Sequence, residues 1–269
     1  MNEIQANDVV IFRDSHGKEW LRQIIPGKSL HTHNGYVSFD DLIGKPYGSI
    51  IPILNDNLLV MKLRHEQYTR FMAHRTNIIY EADAISMISS AGVGPGDTVL
   101  EIDTGSGGMT YFLAFYCTRN TSTGKVVSID LREEHSTIAL DNLKRVNLDK
   151  QVEFRVGDIT TDPILPEENY FDAAFIDMPV PYFLLEQVSK AVNYGSSIMI
   201  FLPNWYQVEQ TIEKAGELDL TVINVFETNR RPMDVKPEKH IMRPVFRALV
   251  YSGIVIHLLK TKKLELVSQ

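Results

Sequence analysis

From about residue 77 onward, short apolar segments alternate with longer amphipathic ones, and this alternation limits the folds open to the chain. Segments rich in Val, Ile and Leu have the length of strands, and the segments between them have helical periodicity. This order predicts a mainly parallel sheet with helices on both faces. The predicted strands are 98–103, 125–131, 152–158, 171–178, 196–202, 220–227 and 248–260, and the predicted helices are 82–90, 109–119, 133–146, 183–193 and 205–218.

The last two predicted strands are joined by a long polar loop and not by a helix. A parallel connection needs a crossover, which is usually a helix, so these two strands should form an antiparallel hairpin at the sheet edge. The sequence thus predicts an α/β fold with a seven-stranded sheet that ends in an antiparallel hairpin.

The first part of the chain has a different texture. Short alternating segments such as DVVIFRD, YVSF and SIIPIL are separated by turn residues, including Pro26-Gly27 and Asn34-Gly35. This pattern is typical of a small β-rich module. We therefore divide the chain into a β-rich N-terminal domain at 1–62, a basic linker at 63–76 and an α/β domain at 77–269.

Composition excludes several classes of protein. The 269 residues contain one cysteine, Cys117, so neither an intrachain disulfide nor a zinc site of several thiolates is possible, and a reducing cytoplasm is expected. No apolar run approaches the ~20 residues that span a bilayer, and the N-terminus lacks the features of a signal peptide, so we expect no membrane association. The net charge of −7 argues against a globally basic surface, although a local basic patch can still bind nucleic acid.

The most informative segment is a glycine loop, Glu101-Ile-Asp-Thr-Gly-Ser-Gly-Gly-Met109, between the first α/β strand and its helix. Glycines there let the backbone approach a ligand, and the helix N-terminus supplies free amides. The dinucleotide fingerprint fits poorly, because Thr110 stands where its third glycine belongs. An acid followed by Gly-x-Gly, as in Glu101, Gly105 and Gly107, fits the looser loops that bind S-adenosylmethionine.

Each of the first four strands of this domain ends in an acid: Asp103, Asp130, Asp158 and Asp177. Open α/β sheets bind ligands at the carboxyl ends of their strands, so this set predicts a site there. We expect Asp130 to accept both ribose hydroxyls and Asp158 to accept a hydrogen bond from an adenine amino group. Taken singly, each acid has an alternative role as a loop or helix-cap carboxylate.

At the level of motifs the chain resembles the single-chain tRNA (adenine-N1)-methyltransferases of archaea and bacteria. The segments that carry the resemblance are 31–35 and 39–48, then His74-Arg-Thr-Asn-Ile-Ile-Tyr-Glu-Ala-Asp83, the glycine loop, Asp130-Leu-Arg-Glu-Glu-His135 and Asp177-Met-Pro-Val-Pro-Tyr182. Ile102-Asp103 stands where the family usually has Ala-Gly. We expect the Asp103 side chain to turn away from the cofactor or to cap the following helix.

The resemblance implies a Rossmann-like methyltransferase fold that uses S-adenosyl-L-methionine to methylate N1 of adenosine 58 in the tRNA T-loop; methylation of adenosine 57 as well stays open. It also implies a homotetramer. Asp177 and Tyr80 are then the catalytic candidates: the Asp177 carboxylate would hold the adenine amino group, and Tyr80 would stack on the base or simply pack. The implied cofactor-binding residues are Thr104, Gly105, Ser106, Gly107, Gly108, Met109, Asp130, His135, Asp158 and Asp177.

Two basic stretches in this acidic chain favour contact with RNA. One lies between the two predicted domains and the other in and after the last long loop. Two alternatives stay open: a noncatalytic tRNA-binding paralogue with a weakened cofactor site, and a methyltransferase with another substrate. His31 and His33 lack a third ligand at suitable spacing, so we expect no metal. The residues expected to contact tRNA are Arg64, Arg75, Arg230, Arg231 and Arg243.

Overall fold

The computed structural model describes residues 3–121, 123–162, 164–246 and 251–262. The chain divides into two compact units, Met1–Met72 and Ala73–Gln269. The boundary between them falls inside the stretch 63–76, for which a basic linker was expected. Part of the last predicted strand, 248–250, lies outside the described residues.

The first unit is β-rich, as the sequence predicts. Four strands form an antiparallel sheet in the order β2-β1-β6-β5, and β3 pairs with β4 as a separate hairpin. Phe12, Leu30 and Leu58 belong to its buried core. The elements are β1 (Val9–Arg13), β2 (Glu19–Gln23), β3 (Ser29–Thr32), β4 (Gly35–Ser38), β5 (Ile50–Ile53), β6 (Asp56–Lys62) and α1 (His65–Phe71).

Helix α1 belongs to this first unit. Its Tyr68 side chain is fully buried, and Gln67 donates a hydrogen bond from Nε2 to Oε2 of Glu19, 2.9 Å away. The basic stretch is therefore ordered here by a buried aromatic ring and a tertiary hydrogen bond.

The second unit contains the alternating elements. They are α2 (Glu81–Ala91), β7 (Thr98–Ile102), α3 (Gly108–Thr118), β8 (Lys125–Asp130), α4 (Glu133–Lys144), β9 (Val152–Val156), β10 (Phe171–Ile176), a 3₁₀ turn (Pro181–Phe183), α5 (Leu185–Ala191), β11 (Val192–Leu202), α6 (Trp205–Glu217), β12 (Leu220–Phe226), β13 (Met233–Lys236), a second 3₁₀ turn (Pro237–Lys239), β14 (Ile241–Pro244) and β15 (Ile254–Lys260).

Seven of these strands form one sheet in the order β12-β15-β11-β10-β7-β8-β9. The pairs among β11, β10, β7, β8 and β9 are parallel, and β15 runs antiparallel to both of its neighbours. The predicted seven-stranded sheet with an antiparallel terminal hairpin is confirmed. Because β12 runs parallel to β11, the end of β12 and the start of β15 lie at the same carboxyl edge as the ends of β7, β8 and β10.

Strand β7 shows how the sheet separates its two faces. Leu100 and Ile102 belong to a buried core cluster that also contains apolar residues of α5 and α6. Between them, Glu101 accepts a hydrogen bond from Thr110 of α3, 2.7 Å away. Since successive side chains of a strand point to opposite faces, helices cover both faces of this sheet.

Two details differ from the sequence-based expectations. The helix expected at 183–193 is shorter, because Pro181 begins a 3₁₀ turn and Val192 already pairs with Phe171 as the first residue of β11. The loop expected after β12 contains the small antiparallel hairpin β13–β14. Within the described ranges, no helix is both long enough and apolar enough to span a bilayer.

Candidate active site

The candidate site lies at the carboxyl edge of the seven-stranded sheet, where β7, β8 and β10 end side by side. Asp130 is the last residue of β8, and Asp103 and Asp177 directly follow β7 and β10. The backbone N–H groups of Asp103 and Asp177 donate to the carbonyl oxygens of Ile129 and Ile102, at 2.8 and 3.2 Å. These bonds continue the sheet ladders and place the acids beside each other.

The glycine loop has the backbone shape that its sequence predicts. Gly105 and Gly107 have φ angles of +53° and +82°, in the left-handed region that favours glycine. A Cβ on Gly107 would stand 2.8 Å from the Cβ of Ala139 in α4, so glycine is also required for the close approach of these segments. Helix α3 begins immediately afterwards, and no side chain among the described residues caps its N-terminus, where the first amides lack partners within the helix.

Several loop side chains expected to bind the cofactor are directed into the protein. Thr104, Ser106 and Met109 are buried, and Thr104 shares a 2.6 Å hydrogen bond with Ser128. The Ser106 hydroxyl accepts the backbone N–H of Arg75 at 2.9 Å. The backbone N–H of Ser106 is also engaged, because it donates to the Thr76 hydroxyl at 3.0 Å. The side chains of Thr104 and Ser106 therefore hold the loop to its neighbours.

Asp130 organises this loop. Its Oδ2 accepts the backbone N–H of Gly105 at 2.9 Å and lies 3.0 Å from Nδ1 of His135, while Oδ1 accepts the N–H of Arg132 at 2.8 Å. A carboxylate offers about four acceptor positions, so these bonds leave Asp130 about one more. The expectation that it accepts both ribose hydroxyls would require one of these bonds to rearrange.

The Asp103 side chain occupies the remaining acceptor position of the Asp130 carboxylate. Its φ angle is +71°, which explains why glycine suits this place and why aspartate, one of the residues that tolerate left-handed geometry, can replace it. Burial, together with the charge of Asp130 and a hydrogen bond between the two carboxyls, raises the pKa of Asp103. The side chain thus faces Asp130, where a ribose was expected to bind, and a ribose hydroxyl must compete with it.

We therefore expect Asp103→Gly to tighten cofactor binding severalfold, because it frees the last acceptor position of Asp130 and relieves a left-handed backbone. Isothermal titration with S-adenosylmethionine measures this. Asp103→Asn is the matched control, since it keeps the side chain in place and changes only its charge. A large loss of affinity in Asp103→Gly would show instead that Asp103 is itself a ligand.

Glu101 lies below the loop in β7 and is buried. Its Oε2 accepts hydrogen bonds from the hydroxyls of Thr110 and Ser128, at 2.7 and 2.6 Å. Its Oε1 is buried and has no hydrogen-bond partner among the described residues. Burial raises the pKa of Glu101 to about 8, so this side chain is mostly protonated at neutral pH.

The two catalytic candidates come from different elements. Tyr80 is the residue before α2 and is 56% exposed, so its ring is available to a base at this edge. Asp177 is half-buried, and burial followed by the negative charge of Asp83 raises its pKa to about 6. Asp83, in the first turn of α2, is 1% exposed and is the functional candidate that sequence reasoning missed.

The remaining predicted residues are more dispersed. Asp158 accepts the N–H and the hydroxyl of Thr160 at 2.9 and 2.6 Å, in a local turn two residues beyond β9. Arg230 pairs with Glu81 at 3.0 Å, and the Arg243 guanidinium lies 4.0 Å from the ring centre of Phe246. Arg75 and Arg231 are also exposed, and Arg64 belongs to the first unit.

Three exposed aromatic side chains beside the Asp177 loop were not anticipated. Phe183 ends the 3₁₀ turn after that loop, and Trp205 and Tyr206 begin α6; all three are more than 60% exposed. Gln207 of α6 donates a 2.8 Å hydrogen bond to the carbonyl of Pro179, which joins the helix to the loop. The signal in the sequence was the aromatic pair Trp205-Tyr206 at the start of the predicted helix 205–218.

We define the acid cluster as Asp83, Glu101, Asp103, Asp130 and Asp177. After burial, negative charges of neighbours within the cluster raise the pKa values of Glu101, Asp103 and Asp177, so these groups lie within electrostatic reach of their neighbours. A cationic ligand would relieve this repulsion, whereas the pyrophosphate of a dinucleotide would add to it. A sulfonium and an ammonium group beside these acids, with a carboxylate at the amides of α3, therefore suit this edge.

The comparisons with known proteins agree with this chemistry. A family model described as tRNA methyltransferase complex GCD14 subunit matches residues 57–249, and another described as TrmI-like N-terminal matches residues 3–51. The fold and the acid-lined edge define an S-adenosyl-L-methionine-dependent methyltransferase. Within that class, the chain belongs to the tRNA methyltransferase complex GCD14 subunit family, whose model covers most of its length.

Individual relatives match along nearly the whole chain. The tRNA (adenine(58)-N(1))-methyltransferase TrmI of Thermus thermophilus is 27% identical over 94% of this chain and 97% of its own. A structure described as an S-adenosylmethionine-dependent O-methyltransferase from Thermotoga maritima superposes with a TM-score of 0.87, at 28% identity, over 98% of this chain and 97% of that one. The structure of the tRNA (m1A58) methyltransferase TrmI from Aquifex aeolicus superposes with a TM-score of 0.80, at 27% identity, over 97% of this chain and 100% of that one.

Proposed function

We propose that this protein methylates N1 of adenosine 58 in the T-loop of tRNA, with S-adenosyl-L-methionine as the methyl donor. The observation that carries the proposal is the Asp177 carboxylate at the carboxyl edge, beside a glycine loop and an acid cluster that suit a cationic cofactor. The choice of substrate rests on the family, because its members in Thermus thermophilus and Aquifex aeolicus are named for this nucleoside.

Adenine N1 carries a lone pair at neutral pH, so its methylation needs positioning more than a strong base. The cofactor, when bound, supplies a methyl group on a sulfonium. Asp177 accepts hydrogen bonds from the exocyclic amino group and so fixes the ring edge on which N1 lies. The same carboxylate balances the positive charge that develops on the ring. Tyr80, which is exposed at this edge, offers a face on which the flipped base stacks.

For the cofactor, we propose that the amides at the start of α3 hold its carboxylate and that Asp130 holds its ribose, with His135 orienting Asp130. The backbone of the loop 104–109 lines the site, and Asp158 accepts the adenine amino group once its local turn adjusts. Glu101 is largely protonated and has one buried oxygen that no described residue contacts by a hydrogen bond; it supports the loop from below.

For the RNA, we propose that the cationic side chains contact phosphates and that the exposed aromatic rings stack on bases near the target adenosine. Base–aromatic stacking contributes ~1–3 kcal/mol per base, whatever the base. The cations are those expected from the sequence: Arg64, Arg75, Arg230, Arg231 and Arg243. The ion pair of Arg230 with Glu81 would exchange for one with a phosphate.

We further propose that four copies assemble in the cytoplasm. The β13–β14 hairpin lies outside the seven-stranded sheet and exposes Met233, Val235 and Met242, an apolar surface that a second copy would cover. Sedimentation velocity of the purified protein measures the assembly, and a monomer at micromolar concentration would contradict it.

The proposed activity is tested with an unmodified tRNA transcript and S-adenosylmethionine, with the product nucleoside located by mass spectrometry. We expect N1-methyladenosine at position 58. Binding of both ligands without methyl transfer would favour the noncatalytic paralogue. A methyl group on an oxygen atom, or on a small molecule, would favour another substrate.

A further inference from the structure

The structure contains a buried carboxyl group near the catalytic candidate that the proposed mechanism does not use. Asp83 is almost wholly buried in the first turn of α2, and its Oδ1 has no hydrogen-bond partner among the described residues. A buried acceptor without a partner destabilises the folded protein, and more so when it is charged, so a group of this kind calls for an explanation.

The position of Asp83 follows from the topology. Helix α2 begins at the carboxyl edge, with Tyr80 immediately before it, and leads towards the start of β7 at the opposite edge. The hydroxyls of Thr228 and Ser252 face Asp83; the first follows β12 and the second precedes β15, and both lie at the same carboxyl edge as Asp177. The side chain is therefore held inside the site and cannot turn to solvent.

We propose that Asp83 is a positioning residue for methyl transfer: buried at the carboxyl edge that carries Asp177, with one oxygen that has no partner among the described residues, it acts on the Asp177 carboxylate that holds the adenine amino group. The proposal rests on the proposed function, because it assigns the same role to Asp177. Asp83 itself makes no contact with the base and acts through Asp177.

The electrostatics of the neighbours support this role. The groups that interact with Asp177 are Asp83 from α2, Glu101 from β7 and Asp103 directly after β7. Of these, Asp83 is the one whose charge raises the pKa of Asp177, after burial itself. Burial also raises the pKa of Asp83, and the nearby hydroxyls only partly offset it. Two carboxyls so placed ionise in succession rather than independently.

A raised pKa means that Asp177 is protonated over a wider acidic range, where it has lost the negative charge that strengthens its hydrogen bond with the amino group and balances the cationic ring. Removal of the Asp83 charge should lower the pKa of Asp177. The acid limb of the pH–rate profile should then move to lower pH.

The experiment compares wild-type protein with Asp83→Asn, which keeps the shape and the hydroxyl contacts, and with Asp172→Asn as the matched control. Asp172 lies in the same strand that Asp177 follows, but at its opposite end, where it accepts the N–H of Thr98 at 2.8 Å. Single-turnover methylation of a tRNA transcript is measured from pH 5 to 8.5. In parallel, the side-chain carboxyls are titrated by NMR in protein labelled with ¹³C-aspartate.

We expect Asp83→Asn to retain, at pH 5, a severalfold larger fraction of its own plateau rate than wild type does. Its Asp177 resonance should titrate at lower pH, and Asp172→Asn should match wild type in both. The proposal is overturned if the acid limb of the pH–rate profile and the NMR titration midpoint of Asp177 are both unchanged in Asp83→Asn, whatever happens to the plateau rate. If wild type methylates no tRNA, the proposed function fails and the NMR titration still decides the role of Asp83. Should Asp83→Asn not fold, Asp83→Ser replaces it.

Discussion

Replacement of Asp177 by asparagine should lower the single-turnover rate of tRNA methylation by about 10²–10³-fold, the range found for other electrostatic stabilisers of a transition state. Asparagine keeps the shape of the side chain and removes the negative charge that balances the ring as it becomes cationic. S-adenosylmethionine affinity should fall much less, because Asp130 and the loop backbone hold the other end of the cofactor.

The pH dependence gives a second readout of the same variant. Since burial and Asp83 raise the pKa of Asp177 to about 6, wild-type activity should be complete above that pH and lost as pH falls through it. In Asp177→Asn this loss of activity at acidic pH should disappear from the pH–rate profile, while Asp172→Asn should retain it. Turnover close to that of wild type in Asp177→Asn would exclude the assigned role.

The second large effect concerns the cofactor. Asp130→Ala removes a carboxylate that accepts hydrogen bonds from Gly105 and Arg132 and contacts His135, so the loop loses its anchor together with the proposed ribose contact. Loss of a hydrogen bond to a charged group costs about 1.5–3 kcal/mol, which corresponds to a roughly 10- to 150-fold weaker affinity for S-adenosylmethionine. Calorimetric titration measures it.

A matched pair of ligands separates the two roles of Asp130. S-adenosylhomocysteine and its 2′-deoxyribose analogue differ only in one hydroxyl. Wild type should prefer the ribose form, and Asp130→Asn should lose that preference if the carboxylate binds the ribose. If the variant keeps the preference and only its melting temperature falls, Asp130 is a structural anchor of the loop and the ribose assignment is wrong.

The sheet was predictable because its physical causes are local. Apolar strands such as 98–102 and 125–130 alternate with helices, and a missing crossover helix between the last two strands indicates their antiparallel pairing. The hairpin β13–β14 was not predictable, because its strands have four residues each, carry charged side chains and lie near prolines at 237 and 244. Nothing in their periodicity distinguishes them from a polar loop.

The candidate site was predictable in outline. The spacing of Gly105 and Gly107 placed a ligand loop after the first α/β strand, and the structure gives both residues the left-handed backbone that requires glycine. The sequence also showed that an aspartate, Asp103, stands where the family usually has a glycine. The sequence did not show that Asp103 contacts Asp130, because this contact joins residues that follow or end neighbouring strands.

The sequence by itself determined the class of fold, the glycine loop and the set of acids that end successive strands, because these depend on residue type and short-range spacing. The tertiary structure alone decided which acids interact. It buried Asp83 at the edge that carries Asp177, and it left one oxygen of Glu101 without a hydrogen-bond partner in the part of the chain that the structure describes. It also divided the acceptor positions of Asp130 between the loop and Asp103. Burial and electrostatic interaction depend on distances between residues remote in the chain, and only the folded sheet brings those residues together.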